Sequence, residues 1–298
     1  MSRHLGLDLG GTNIKWAIVD RHGDVWEDSG HGQRPTPQGG PEAVTDALIA
    51  AGHEAVATWP GVATVGIGVP GSYYPESGAT RFIFKFPGDW DGYPVGKRIA
   101  DALGLPAHLI NDARAFGLAE LRLGAGRGAR SMVGLTLGTG IGGVICIDGK
   151  VVQGHDGTAG ELGHQTIDPD GPPCGCGNHG CLEAFARADR LAAACGTATA
   201  EEAAERARAG DEAALAGLTS VGQYLGIGIA NMIAVITPDR VVIGGGIAAA
   251  GDLLLEPIRA EVKRRVFITS LDSVTIALAQ LGTWAGAIGA AIHGAETA

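Results

Sequence analysis

Basic residues are in short supply in this chain: 22 Lys and Arg stand against 32 Asp and Glu, a net charge of −10 at pH 7. With no long basic run either, no nucleic-acid or anionic-membrane surface is expected, although a local phosphate site is still allowed. Also missing is an uninterrupted apolar stretch of about eighteen residues, and the opening MSRHLGLDLGG has no apolar h-region. Neither a signal peptide nor a membrane span is expected, and the chain reads as cytoplasmic. Low-complexity linkers are absent too, so two domains joined at a hinge fit the 298 residues better than two on a tether. Hydrophobic residues make up 45% and charged ones 18%, which describes a globular protein. Cysteine is sparse, five in all, yet Cys174, Cys176 and Cys181 crowd into HQTIDPDGPPCGCGNHGCLE at 164–183. In a reducing compartment such a cluster points to metal ligands or a catalytic thiol before a disulfide.

What the chain has in excess is glycine, 50 residues gathered in LGG (9–11), GTGIGG (138–143) and IGGG (243–246). LGLDLGGTNIKWAIVD (5–20) and VGLTLGTGIGGVICID (133–148) echo one another at a constant offset: Gly6, Leu7, Leu9, Gly10 and Asp20 recur as Gly134, Leu135, Leu137, Gly138 and Asp148. Both are strand, glycine turn, strand. Strands are predicted at 4–9, 14–20, 64–71 and 107–113, and helices at 42–52 and 95–104. Residues 182–236 read as largely helical, and 239–247 as a buried strand followed by a helix over 251–266. The domain boundary is placed at 112, giving 1–112 and 113–298, with a last helix at about 284–298 free to pack on the first domain.

Glycine turns between antiparallel strands expose backbone N–H groups with no Cβ in the way, a concave donor set suited to phosphate oxygens. No Gly-Lys-Ser/Thr follows either turn, so neither is a Walker A loop, and neither opens a Rossmann helix. Asp8, two residues before Gly10, can hold Mg²⁺ through water or simply cap a turn. Asn111 and Asp112 stand where a strand becomes a helix. Capping that helix is their plainer role, and accepting a proton from an attacking hydroxyl is the catalytic one. Glu161, His164 and Glu183 form a polar set that can bind vicinal hydroxyls. Paired carboxylates also mark glycoside hydrolases, but that reading leaves the paired glycine turns without a purpose.

DLGGTNIK, NDARAF, LGTGIGG, GELGH, CGCGNHGCLE and VVIGGGI, in this order and spacing, resemble the ROK family of sugar kinases. The resemblance spans nearly the whole chain. It implies an α/β fold of two actin-like, ribonuclease H-like ATPase domains around a cleft, as in the hexokinase/Hsp70/actin superfamily, with a zinc-binding loop. The implied activity is ATP- and Mg²⁺-dependent phosphorylation of a hexose, glucose at its 6-hydroxyl being the leading case. Fructose, mannose, N-acetylglucosamine and N-acetylmannosamine are alternative acceptors, and polyphosphate an alternative donor. Asp112 is implied as the base, with Pro70, Gly71, Asn111, Glu161, His164 and Glu183 around the sugar. ATP and Mg²⁺ are assigned to Asp8, Gly10, Gly11, Thr12, Asn13, Lys15, Gly138, Thr139, Gly140, Gly244, Gly245 and Gly246. A homo-oligomer, most simply a dimer, is implied as well.

Some ROK members are DNA-binding repressors with an added helix-turn-helix. The first strand near residue 4 and the negative charge weigh against that here, and intact phosphate turns weigh against a silent sugar sensor. Lys85 stands where many relatives have Asn, and AFARAD follows CLE where Ala-Ser-Gly is usual. For zinc, three thiolates need one more ligand to complete a tetrahedron. His179 is nearer in sequence, and His164 is the residue that matches the family motif. The expected site is therefore His164, Cys174, Cys176 and Cys181, structural because it leaves no open position.

Overall fold

The computed structural model describes residues 1–84 and 86–298; the sequence reading of Lys85 lies outside them. The chain divides into two units, Met1–Arg127 with Gln153–Ala159 and Thr283–Ala298, and Gly128–Val152 with Gly160–Gly282.

The first unit contains β1 (Ser2–Leu9), β2 (Asn13–His22), β3 (Val25–Pro35), α1 (Pro41–Thr58), β4 (Val62–Val69), β5 (Gly71–Tyr74), β6 (Ala79–Ile83), α2 (Val95–Leu103), β7 (Ala107–Asn111) and α3 (Asp112–Leu123). Its main sheet runs β3-β2-β1-β4-β7. The first three strands are antiparallel, while β1, β4 and β7 are parallel. Parallel strands need both faces covered, and β1 and β4 are buried almost throughout. Leu5, Leu7, Val65 and Ile67 share a core with Val44, Leu48, Ala51 and Ala55, the helically spaced apolar stripe of α1. Each fully buried Leu or Ile contributes roughly 1.5–3 kcal/mol.

The second unit repeats the design with β8 (Ser131–Leu137), β9 (Ile141–Ile147), β10 (Lys150–Val151), α4 (Leu182–Ala186), α5 (Ala188–Cys195), α6 (Ala200–Arg208), α7 (Glu212–Ile236), β11 (Arg240–Gly244), α8 (Asp252–Arg265) and β12 (Thr275–Leu278). Its sheet order, β10-β9-β8-β11-β12, matches the first in connectivity and direction. The echo in the sequence is thus a repeated strand pair: Leu9 and Leu137 end β1 and β8, and Asn13 and Ile141 begin β2 and β9.

The 182–236 stretch is four helices, for local reasons. Arg187 is extended between α4 and α5, and Gly196 is left-handed after α5. Thr199 and Asp211 then cap α6 and α7 by accepting from Glu202 and Ala214 N–H. In AFARAD, Phe185 stacks on Tyr224 at 4.4 Å and Arg187 pairs with Asp189. α7 is long and apolar enough to cross a bilayer. Here its Val221, Leu225, Ile229 and Ile233 build the second unit's core.

The last helix, α9 (Ala285–Thr297), belongs to the first unit and lies against β1, β4 and α3. Contact is backbone to backbone: a Cβ on Gly66 would lie 1.6 Å from the Ala290 carbonyl oxygen. Only glycine permits that approach. α3 joins the same layer, so the first unit runs on to Arg127, past the boundary drawn at 112.

Candidate functional site

In the first unit, β1 and β2 are joined by a tight turn in which Gly10 N–H donates to the Asn13 carbonyl at 3.1 Å. Thr36, at the end of β3, fastens it twice: its hydroxyl donates to Gly10 O (2.7 Å) and its N–H to Thr12 O (2.9 Å). Gly11 and Thr12 are exposed, and nothing lies within 4 Å of a Cβ built on Gly11. This leaves an open backbone turn of the kind that receives phosphate oxygens. Lys15, opposite Asp8 across the strand pair, sends its ammonium to Thr283 O at 2.9 Å and lies 5.6 Å from the Trp284 ring.

Asp8 comes off the end of β1 and sits against Gly286 of α9 and Gly68 of β4; a Cβ at either would meet its carboxylate, at 2.6 and 3.3 Å. This enclosure pushes the Asp8 carboxyl up to about 7, the Asp112 charge adds to the rise, and Lys15 partly opposes it. Two carboxylates that resist ionising together are the setting a divalent cation relieves.

A carboxyl raised in this way favours folding fully below its ordinary 3.8 and loses that contribution as pH climbs through about 7. Asp8→Asn should therefore raise the Tm of the protein in chelator and without nucleotide at pH 8. The gain should be on the order of 1–3 kcal/mol after discounting for partial solvation, and it should shrink toward pH 4.5. Thermal melts at the two pH values check this; a gain that stays constant or grows toward acid contradicts it.

β7 runs parallel to β4, with Asn111 in register with Val69. Asn111 does cap α3: its Oδ1 accepts from Ala113 N–H (3.1 Å) and Arg114 N–H (3.2 Å). Its Nδ2 donates to Gly71 O at 3.1 Å, which ties the Pro70–Gly71 segment to the helix start. Asp112, half-buried in the first turn of α3, accepts from Ala113 N–H at 2.8 Å. Capping is thus done mainly by Asn111, while Asp112 is close enough to Asp8 for their charges to interact. Thr36 and Arg114 escaped the sequence reading. Thr36 sits in no motif, whereas Arg114 is a charge in the buried stretch of α3, inside NDARAF, and was open to notice.

In the second unit, the turn between β8 and β9 is one residue tighter than its counterpart. Gly138 N–H donates to Gly140 O at 2.9 Å, and Gly138 O accepts from Ala188 N–H at 2.8 Å. Thr139 is exposed. Glu183, in the first turn of α4, braces this turn, its Oε2 accepting from Ile141 N–H at 2.8 Å. Its Oε1 lies 3.8 Å from Cys174 Sγ, so Glu183 touches both the turn and the thiol cluster. Gly244 ends β11, and Gly245 has φ +90° with a would-be Cβ 2.3 Å from Leu137 O. Gly246 is exposed, with only Glu201 near its would-be Cβ, at 3.6 Å.

His164, Cys174, Cys176 and Cys181 offer one ligand atom each, all within 4.8 Å of one another. Cys176 and Cys181 sulfurs are 3.7 Å apart, as are Cys174 Sγ and His164 Nδ1. A tetrahedron with metal–sulfur bonds of about 2.3 Å has edges of roughly 3.8 Å, so the set fits zinc. All five cysteines are free thiols. His179 is exposed, pairs as a bridge with Pro173 and is outside the group. His164 turns Nδ1 to the sulfurs, which directs Nε2 away from them. It sits in a single 3₁₀ turn, Leu162–His164, directly after the exposed Glu161.

Residues 4–295 match the ROK family. The chain is 35% identical to the glucokinase of Streptomyces coelicolor over 98% of its own length and 97% of that protein. Among solved structures it is similar to a ROK hexokinase from Thermus thermophilus, with 34% identity, a TM-score of 0.84, and 99% and 98% of the two chains covered. It is equally similar in fold to a ROK family glucokinase from Streptomyces griseus in complex with glucose and AMPPNP, at 31% identity, TM-score 0.84, and 99% and 100% coverage. The chain belongs to the ROK family.

Proposed function

We propose that this protein is an ATP-dependent hexose kinase that phosphorylates glucose at its 6-hydroxyl, with Asp112 as the general base. The observation that carries the reading is the pair Asp8 and Asp112 at the ends of parallel strands, beside an open glycine turn, with Asp8 held up to about 7. Family membership and the kinship to glucokinases support it from a separate direction.

In this reading Asp112 takes the hydroxyl proton as that oxygen attacks the γ-phosphorus, and the bond to the β-phosphate oxygen breaks to release ADP. Positioning and charge neutralisation do most of the rest. The turns at 10–12 and 138–140 present N–H groups to phosphate oxygens, and Asp8 would hold Mg²⁺ through water. When bound, that ion supplies positive charge to the triphosphate. Asn111 spends one Nδ2 hydrogen on Gly71 and has a second for a sugar oxygen. Glu161, His164 through Nε2, and Glu183 through Oε1 are assigned to the remaining hydroxyls. His164, Cys174, Cys176 and Cys181 would hold zinc, which supplies a rigid anchor that fixes the imidazole orientation.

ADP formation measured across a panel of hexoses tests the assignment: the largest kcat/KM is expected with glucose. Higher kcat/KM with an N-acetylated hexosamine would replace the acceptor, and phosphorylation supported by polyphosphate alone would replace the donor.

Backbone at 244–246 is assigned to the adenosine of ATP. Gly245 cannot test this, because its conformation and its contact with Leu137 make any side chain there disruptive. Gly246→Val adds bulk at an exposed position where a Cβ meets only Glu201, at an ordinary contact distance. It should raise the KM for ATP about tenfold, the scale of 1–2 kcal/mol of lost contact, while leaving hexose affinity without nucleotide unchanged. Steady-state kinetics and calorimetry check this, and equal loss of both affinities contradicts it.

A further inference from the structure

The chain leaves the second unit after Val152 and re-enters it at Gly160; the loop between, Gln153–Ala159, belongs to the first unit. The loop closes on itself through Ala159 N–H donating to Gln153 O (3.1 Å) and Thr158 N–H to Asp156 (3.2 Å). One of its outer fastenings is weak. Arg81 and Asp156 are 3.8 Å apart and both about half exposed, a pair worth little in water.

Its inner fastening is of another kind. Arg114 is 2% exposed, and its Nε and one terminal nitrogen both donate to the single carbonyl of Ala159, at 3.0 and 2.7 Å. Burying a guanidinium is costly, and a surface loop carbonyl can be satisfied by water. Two charged donors on one carbonyl hold it more firmly than water would. It is the last one before Gly160 and Glu161 in GELGH, and Arg114 lies two residues after Asp112 on α3. The Arg114 backbone N–H is also bound to Asn111 Oδ1. The Arg114 side chain therefore ties α3, the helix that begins with Asp112, to the residue that precedes GELGH.

We propose that Arg114 is a positioning residue for phosphoryl transfer, acting through the Ala159 carbonyl on the GELGH segment. The proposal rests on the kinase reading above. Arg114 touches no substrate in this account, and its removal misplaces groups without deleting any.

Arg114→Lys tests it, since lysine keeps the charge but replaces a planar two-donor edge with a point donor. In the absence of any ligand, hydrogen exchange over 153–160 should rise about tenfold while β1 and β2 are unchanged. kcat should fall about 10- to 100-fold, the scale of a small misplacement, with the hexose KM raised and the ATP KM within about twofold of wild type. Arg114→Met should go further in the same direction; if it does not fold, the lysine variant decides alone. Unchanged loop exchange overturns the proposal, and so does a loosened loop with unaltered kcat and hexose KM. A uniform rise in exchange with both KM values moving together also overturns it, in favour of a purely structural arginine. A wild-type protein inactive on every hexose removes the kinase reading and this proposal with it. That failure is distinct, because the exchange measurement needs no substrate.

Discussion

Asp112→Asn is expected to fold, to bind hexose, and to turn over at least ~100-fold more slowly than wild type, the usual scale for losing a general base. The substitution is nearly isosteric. Losing a helix cap costs typically about 1 kcal/mol, but asparagine accepts hydrogen bonds as well as aspartate, and Asn111 already receives the first N–H groups of α3. Stability should therefore barely change, and a large drop in kcat is attributable to the missing carboxylate. One side effect has a definite sign: without the Asp112 charge, the Asp8 carboxyl should move down from about 7. Retention of more than a tenth of wild-type kcat in Asp112→Asn would contradict the assignment.

The second large effect is expected at the thiol cluster. Purified wild-type protein should carry one zinc per chain, and His164→Ala should lower zinc affinity by at least about 100-fold, since three thiolates alone leave the tetrahedron open to water. Burial raises the Cys174 thiol and pushes Cys181 up to about 12, while the Asn178 backbone N–H draws Cys176 down. Zinc must therefore displace protons, and its affinity should weaken as pH falls. Because Glu183 Oε1 and Cys174 Sγ are 3.8 Å apart, loss of metal should also disturb Glu183, and hexose affinity should fall with zinc content. His179→Ala should keep both, as that ring is exposed and outside the cluster. Elemental analysis and hexose calorimetry on the two variants decide the matter; zinc lost with His179 and kept without His164 would reverse the ligand set.

What could be read from the sequence was local. Strand, glycine turn and strand at 4–20 and again at 133–148 were legible because alternation and glycine act over a few residues, and the echo between them anticipated two sheets of one topology. The cysteine cluster was legible for the same reason, its ligands falling within eighteen residues of His164 through Cys181. Asn111 and Asp112 were legible as residue types but not as a division of labour, which depends on which carboxyl faces the helix N–H groups. Long-range facts were harder. The approach of Asp112 to Asp8 follows from β1, β4 and β7 lying side by side, with β4 between them. The return of 153–159 to the first unit has no composition signal, and Arg114 reveals its partner only in three dimensions. The reading of 182–236 as largely helical holds, but the helix breaks within it were not legible, because periodicity persists across the extended Arg187 and the left-handed Gly196.

The most direct test of the central claim is the fate of the γ-phosphoryl group. Phosphorus NMR of wild-type protein with ATP, Mg²⁺ and glucose should show ADP and a hexose 6-phosphate appearing in equal amounts, with neither accumulating at a comparable rate in Asp112→Asn. ADP accompanied only by inorganic phosphate, or hexose phosphate formed equally well by Asp112→Asn, would contradict the account.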